Sequence, residues 1–400
     1  MSIDAKKAIF EANKLIITHD KDLSFNDLIE PNLEIFSKFK LMYSTNNTNS
    51  QFGYTSLDRI EEDCDSIRKF FHGSGLLFFS KDIYQAQQKQ ETVYIPLDYS
   101  LSFDSNVAEK FRVYEKGGKV QPKEKFERLI KFIKQYQFNF DYGFFCLENL
   151  EFIRQNNDRP FNTIRAIIRY NPLNSYQLGR EAAGKLAIQT MYNPFNNEIN
   201  PIFWQRRKLI YLILLKAVQI NWELKEINSK LRAIIEFCLV NTGKYAKKEI
   251  YLAWKLFKQG TSLRFFNPVR QPSPNILSKV KGMSWDFLSI EYQSTLAYSM
   301  SRGNKFFVPF FASFDNKFVE FTEACPVRCM LFDDQTQTAH TFFDDELEFN
   351  QDISDAVQDN NKLLFRLTDR QKIMRGSNFQ LNNNKLNIQI ANLEKEISQM

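Results

Sequence analysis

Two β-forming runs that end on Asp104 and Asp315, 211 residues apart, constrain this chain more than any other feature. The first, Thr92 to Phe103 (TVYIPLDYSLSF), leads into Asp104-Ser105-Asn106; the second, Lys305 to Ser313 (KFFVPFFAS), leads into Phe314-Asp315-Asn316. β-Branched and aromatic residues favour extended backbone, and Asp-Asn or Asp-Ser pairs end it. Between the runs, residues 123 to 155 read as helix, turn, helix, with Glu148 on the second helix. Ser284 to Met300 reads as a further helix, with Ser284 as N-cap and Asp286 in its first turn. Another strand, Val327 to Phe332, ends at Asp333. In an open α/β sheet, residues just past the carboxyl ends of strands gather along one edge. Asp104, Glu148, Asp286 and Asp315 are therefore expected at one edge, where four carboxylates would repel one another unless divalent cations neutralised them. Such a cluster calls for Mg²⁺ or Mn²⁺.

The rest of the chain narrows the classes. With 43% hydrophobic and 15% aromatic residues, 400 residues can build two or three real cores, which excludes general disorder. Cys64, Cys146, Cys238, Cys325 and Cys329 form no CxxC pair, which excludes a common structural zinc site and fits a reducing, cytoplasmic setting. The longest apolar stretch, Leu209 to Ile220, is short and broken by Lys216, so it is expected as a buried helix with no membrane partner. With three histidines in all, and Arg68 and His72 the nearest pair to a ribonuclease-like Arg/His spacing, carboxylates are the expected working groups. Gly179-Arg180-Glu181-Ala182-Ala183-Gly184-Lys185 has P-loop spacing, but Leu186 stands where a Ser or Thr should hold Mg²⁺ and no strand precedes it.

The ordered acids resemble those of PIN-domain nucleases. FDSNVAEKF at 103 to 111 is similar to that family's opening Asp-Thr/Ser-Asn strand end, and CLENL at 146 to 150 to its second acid, with Asp141 and Glu151 close by. SWDFLSIEYQ at 284 to 293 resembles the helix carrying the third acid, FASFDNKF at 311 to 318 the fourth, and VRCMLF the closing strand. The resemblance implies an α/β fold with a PIN-like three-layer core around a central, mostly parallel sheet. Residues 1–74 would be a helical lead-in, 75–335 the PIN-like domain with a helical insertion at about 160–275, and 336–400 an acidic segment and C-terminal helix. It implies that Asp104, Glu148, Asp286 and Asp315 carry Mg²⁺ or Mn²⁺, with Asn106 and Ser313 as supporting groups. Asp98, inside the strand, is read as a further supporting or edge residue. The implied activity is hydrolysis of phosphodiester bonds, chiefly in RNA, in the manner of toxin or defence-associated effectors. The rival reading is a non-catalytic assembly protein that binds nucleic acid or protein.

Two surfaces bear on partners. Residues 205 to 260 hold twelve Lys or Arg and four Asp or Glu, interleaved with Trp222 and Trp254 just past Trp204. That block offers either a grip on single-stranded RNA or a solvated helix face over core tryptophans. Residues 331 to 361 carry nine acids and no Lys or Arg, which could neutralise it. Leu386, Ile390, Leu393 and Ile397 form a seam that could dock on the body, or meet a second copy or an inhibitory partner.

Overall fold

The computed structural model describes residues 3–20, 22–47, 52–56, 64–71, 73–91, 94–171, 178–243, 245–333, 338–360, 363 and 383–400. His72 lies outside them. The chain divides into two compact units, residues 1–200 with 290–344 and residues 201–289 with 345–400. The boundaries expected at 74 and 335 both fall inside the first unit.

The first unit is mixed α/β and contains nine described strands: β1 (Lys40–Thr45), β2 (Gly53–Ser56), β3 (Ile67–Lys69), β4 (Gly75–Phe79), β5 (Leu97–Phe103), β6 (Asn139–Asp141), β7 (Phe306–Ala312), β8 (Val327–Asp333) and β9 (Thr338–Phe343). They form two sheets, a five-stranded one in the order β2-β4-β1-β8-β9 and a four-stranded one in the order β3-β7-β5-β6. Every pairing in the larger sheet is antiparallel. In the smaller sheet β5 runs parallel to both β6 and β7, and β3 pairs antiparallel with the outer side of β7. Among the described residues, parallel ladders join β5, β6 and β7, and a single parallel bridge links Phe71 to Val327 at the start of β8. The strand expected to close that core, β8, belongs to the antiparallel sheet instead, paired with β1 and β9.

The expected helical lead-in is only partly helical. Helices Ile3–Thr18, Phe25–Ile29 and Leu33–Phe36 are followed by β1, β2 and β3. β1 is buried at every position, as befits a strand covered on both faces, and such a run shows no period-two alternation to mark it. β5 begins at Leu97 rather than Thr92, because Pro96 has no N–H to give the ladder; its carbonyl accepts from Phe306 N–H at 2.9 Å.

Phenylalanine builds the core around the smaller sheet. Phe103 packs edge-on against Phe111 and Phe140, Phe138 against Phe310, and Phe144 against Phe311, with ring centroids 5.0 to 5.4 Å apart. These contacts seat the helix Ser105–Glu115 against β5 and the helix Gly143–Glu148 against β7.

The second unit is helical among its described residues. Leu209 to Ile220 lie within the helix Pro194–Glu223 and are almost wholly buried. No helix of the described residues is long and apolar enough to cross a membrane. The basic helix Lys247–Gln259 faces the acidic helix Glu346–Val357: Lys255 pairs with Asp345, Lys247 with Glu346, and Lys258 with Glu348 at 2.6 Å and Asp352 at 2.9 Å. The Trp254 indole N–H donates to Asp352 Oδ2 at 2.7 Å. The acidic segment therefore neutralises this part of the basic block, and its tryptophan is core. Trp222 likewise donates to the Val269 carbonyl, and buried Arg207 stacks on Trp204 and Trp285. The C-terminal helix Asn383–Ser398 buries Leu386, Leu393 and Ile397 and is tied down by Tyr211 to Glu394 and by Gln389 to Asn241. Its seam is thus occupied within the unit, in the first of the two arrangements the sequence offered.

Candidate active site at the edge of the mixed sheet

The parallel register sets Phe103 of β5 opposite Ala312 of β7, and the Asp104 N–H donates to the Ala312 carbonyl at 3.0 Å. Both strands then stop, and each hands over to a helix through an aspartate. Asp104 caps Ser105–Glu115, accepting from the Asn106 N–H; Asp315 caps Asn316–Glu323, accepting from the Lys317 N–H at 2.8 Å. The Ser313 hydroxyl joins the two, donating to Asp104 Oδ2 at 2.8 Å while accepting from the Asp315 N–H at 3.2 Å. The Asn106 side-chain amide donates to the same Asp104 oxygen at 2.6 Å.

Glu148 ends the helix Gly143–Glu148 and reaches back to the residue after Asp104. Its Oε2 accepts from both the hydroxyl and the N–H of Ser105, while the Asn149 amide donates to the Ser105 hydroxyl at 3.0 Å. Glu151, in the next short helix, is exposed on the surface.

Burial pushes the Asp104 carboxyl above the usual carboxylate range; the Ser313 and Asn106 hydrogen bonds oppose the rise, and the neighbouring Asp315 charge adds to it. Neither Asp104 nor Asp315 has an ion-pair partner among the described residues. A half-buried acid beside an exposed one, with hydroxyl and amide donors in place of a basic partner, is short of positive charge.

The first unit thus gathers Asp104, Asn106, Ser313, Asp315 and Glu148. Asp286 belongs to the second unit. Its helix is Ile276–Met300, so it lies in the helix interior rather than the first turn. Ser284 is not an N-cap: it is buried and its hydroxyl donates to the Lys281 carbonyl one turn back. Nothing between Asn275 and Ser284 stops a helix except Gly282, which costs only about 1 kcal/mol there. Asp98 lies apart from these groups. It sits near the start of β5, about 20 Å along the strand from Asp104 at 3.3 Å per residue. There it pairs with Lys305 at 2.6 Å and accepts from Asn139 at 3.0 Å, and despite burial these contacts hold its carboxyl below the usual range.

Three further residues lie at the edge: Asp141, which the sequence offered only as a neighbour of Glu148, and Asp65 and Lys125, which no sequence signal singled out. Asp141, at the end of β6, accepts from Ser102 at 2.7 Å, Tyr292 at 3.0 Å and the Gly143 N–H at 3.2 Å. Burial pushes its carboxyl and the Tyr292 phenol up. Gly143 makes the approach feasible, since a Cβ there would lie 2.1 Å from the Tyr292 hydroxyl. Asp65 precedes β3, whose antiparallel course puts its start beside the end of β7, where the Ser313 N–H donates to the Ser66 carbonyl at 3.0 Å. Lys125, in the first turn of Lys123–Tyr136, lies 3.9 Å from Asp65 and donates to Asn316 Oδ1 at 2.7 Å.

Among the described residues, no group of three or more His, Cys, Asp or Glu side chains is placed to hold a metal ion together. Mg²⁺ asks for less than that: it keeps several waters and is commonly held by one or two carboxylates plus a substrate phosphate. The Asp104–Asp315 pair fits this smaller requirement. No protein-family model matches the chain, and no curated protein or solved structure matches it either.

Proposed function

We propose that this protein is a divalent-metal-dependent nuclease that hydrolyses phosphodiester bonds, with RNA as its substrate and the edge of the mixed sheet as its active site. One observation carries the reading: Asp104 and Asp315 leave adjacent parallel strands side by side, share Ser313, and have no basic partner among the described residues. The PIN-like resemblance adds to it, through the central place of β5 between β6 and β7. It is weakened by β8, which pairs in the other sheet.

In this reading Asp104 and Asp315 hold Mg²⁺ or Mn²⁺, which supplies neutralisation of their charge and polarisation of a phosphodiester oxygen. Ser313 and Asn106 fix the Asp104 carboxylate, so little reorganisation is needed on binding. Ser105 holds the Glu148 carboxylate beside Asp104, where it would serve to take a proton from an attacking water.

A non-catalytic binding protein is the second reading, and the helix caps favour it. Both aspartates already accept backbone N–H bonds, which is sufficient reason for acids at those positions. Cleavage decides between them. Incubated with single-stranded RNA, the wild-type chain is expected to cut it with Mg²⁺ or Mn²⁺ and not with EDTA. Asp104→Asn and Asp315→Asn are each expected to lose at least about a hundredfold in rate while remaining folded, with a cooperative melting transition no lower than that of the wild type. Equal activity in these variants, or none in the wild type, would end the nuclease reading.

A further inference from the structure

We infer that the helix Lys123–Tyr136 of the first unit, not the basic block at 205 to 260, is the track along which a single-stranded polynucleotide backbone lies. The inference rests on the proposed active site for its direction, and on charge for its substance.

Residues 116 to 134 carry seven lysines and arginines against two glutamates. The helix turns Phe126, Leu129, Phe132 and Ile133 inward, which leaves Arg128, Lys131 and Lys134 on the exposed side. These three cations have no ion-pair or hydrogen-bond partner among the described residues. Among the described residues Lys123 has only Glu127 at 3.6 Å, both well exposed, a pairing of little energetic weight. The second unit spends its charge differently, since Lys247, Lys255 and Lys258 are all paired with the acids of 345 to 352.

Geometry gives the row an origin. Lys125 bonds Asn316, the residue next to Asp315, so the helix starts at the carboxylate edge. From Lys125 to Lys134 it rises about 13 Å at 1.5 Å per residue, enough to meet several successive phosphates of one strand. Arg128, Lys131 and Lys134 stand three residues apart, so they wind around the exposed side of the helix by about 60° at each step, a curved path that a flexible single strand can follow and a stiff duplex cannot. Tyr114 adds an aromatic surface for stacking. It is 45% exposed and packs on Phe126 of the same helix at 5.4 Å.

The test measures binding of fluorescein-labelled oligouridylate and oligothymidylate by anisotropy, using the full chain with Asp104→Asn to prevent cleavage. Neutralising the row (Arg128→Gln, Lys131→Gln, Lys134→Gln) is expected to weaken binding roughly tenfold or more and to reduce the slope of log K against log salt by about two, at about 0.7 per lost phosphate contact. Lys208→Gln with Lys225→Gln, in the second unit, should change affinity less than about twofold, and the exposed positions of the row should leave the melting profile intact. The inference is overturned if the row variant binds like its parent, if the second-unit pair carries the loss, if a duplex of the same length binds more tightly, or if the parent binds neither oligonucleotide. Row-dependent binding by a wild-type chain that cuts nothing would sink the nuclease and keep the track; cleavage with row-independent binding would do the reverse.

Discussion

Asp104 carries most of the chemical argument, and its environment makes a signed claim. Burial raises its carboxyl above the usual range, with the Asp315 charge adding to the rise, so the folded state favours the neutral form. Its contribution to stability is complete below the unfolded carboxylate range and is lost as pH climbs through the raised folded value. Asp104→Asn removes that loss and can still bond Ser313. In EDTA the variant should therefore melt above the wild type at about pH 7.5, and the gap should close toward about pH 4. A gap that is constant with pH, or widest in acid, would contradict the environment described. Asp104 and Asp315 were readable in the sequence because β-formers run straight into Asp-Ser-Asn and Asp-Asn. Asp65 was not: Cys64, Ile67, Phe70 and Phe71 mimic a helical stripe, and only the pairing of β3 with β7 puts Asp65 at the edge. Lys125 was hidden for a similar reason, since its relation to Asn316 spans 191 positions.

Elements show where local pattern succeeds and where it stops. Long amphipathic helices and apolar strands such as β4, β7 and β8 read directly from their residues. β6 has three residues, too few for any period, yet it completes the parallel trio. The helix carrying Asp286 was cut short because Ser284 looks like a cap, whereas a buried serine bonded one turn back serves equally well inside a helix. The acidic stretch read as a charge run is in part the helix Glu346–Val357, and its partner is the basic helix the sequence offered to RNA. Lys255 is 2% exposed and held by Asp345, which also accepts from the Tyr251 hydroxyl at 2.7 Å. Lys255→Ala should cost about 3 kcal/mol in urea unfolding, because it strands a partly buried carboxylate, and Lys255→Ala combined with Asp345→Ala should recover part of it. Additive losses would mean that the pair is not coupled.

Across the whole molecule, the division of labour was the least legible feature. The four-carboxylate pattern was drawn along the chain as though one domain held it, but the first unit contains three of those acids and the second contains Asp286. Strand partners from opposite ends of the chain, such as β1 with β8, are invisible to any local period. What survives from sequence to structure is a pair of aspartates on neighbouring strand ends, with Glu148 one residue away through Ser105. Calorimetric melting with and without Mn²⁺ tests the central claim directly, since a ligand bound only by the folded state stabilises it by about 2.7 kcal/mol at a hundredfold excess over Kd. The wild type should gain stability with rising Mn²⁺, and Asp104→Asn and Asp315→Asn should each lose most of that gain. An equal response in all three chains, or none in the wild type, would contradict a metal at this edge.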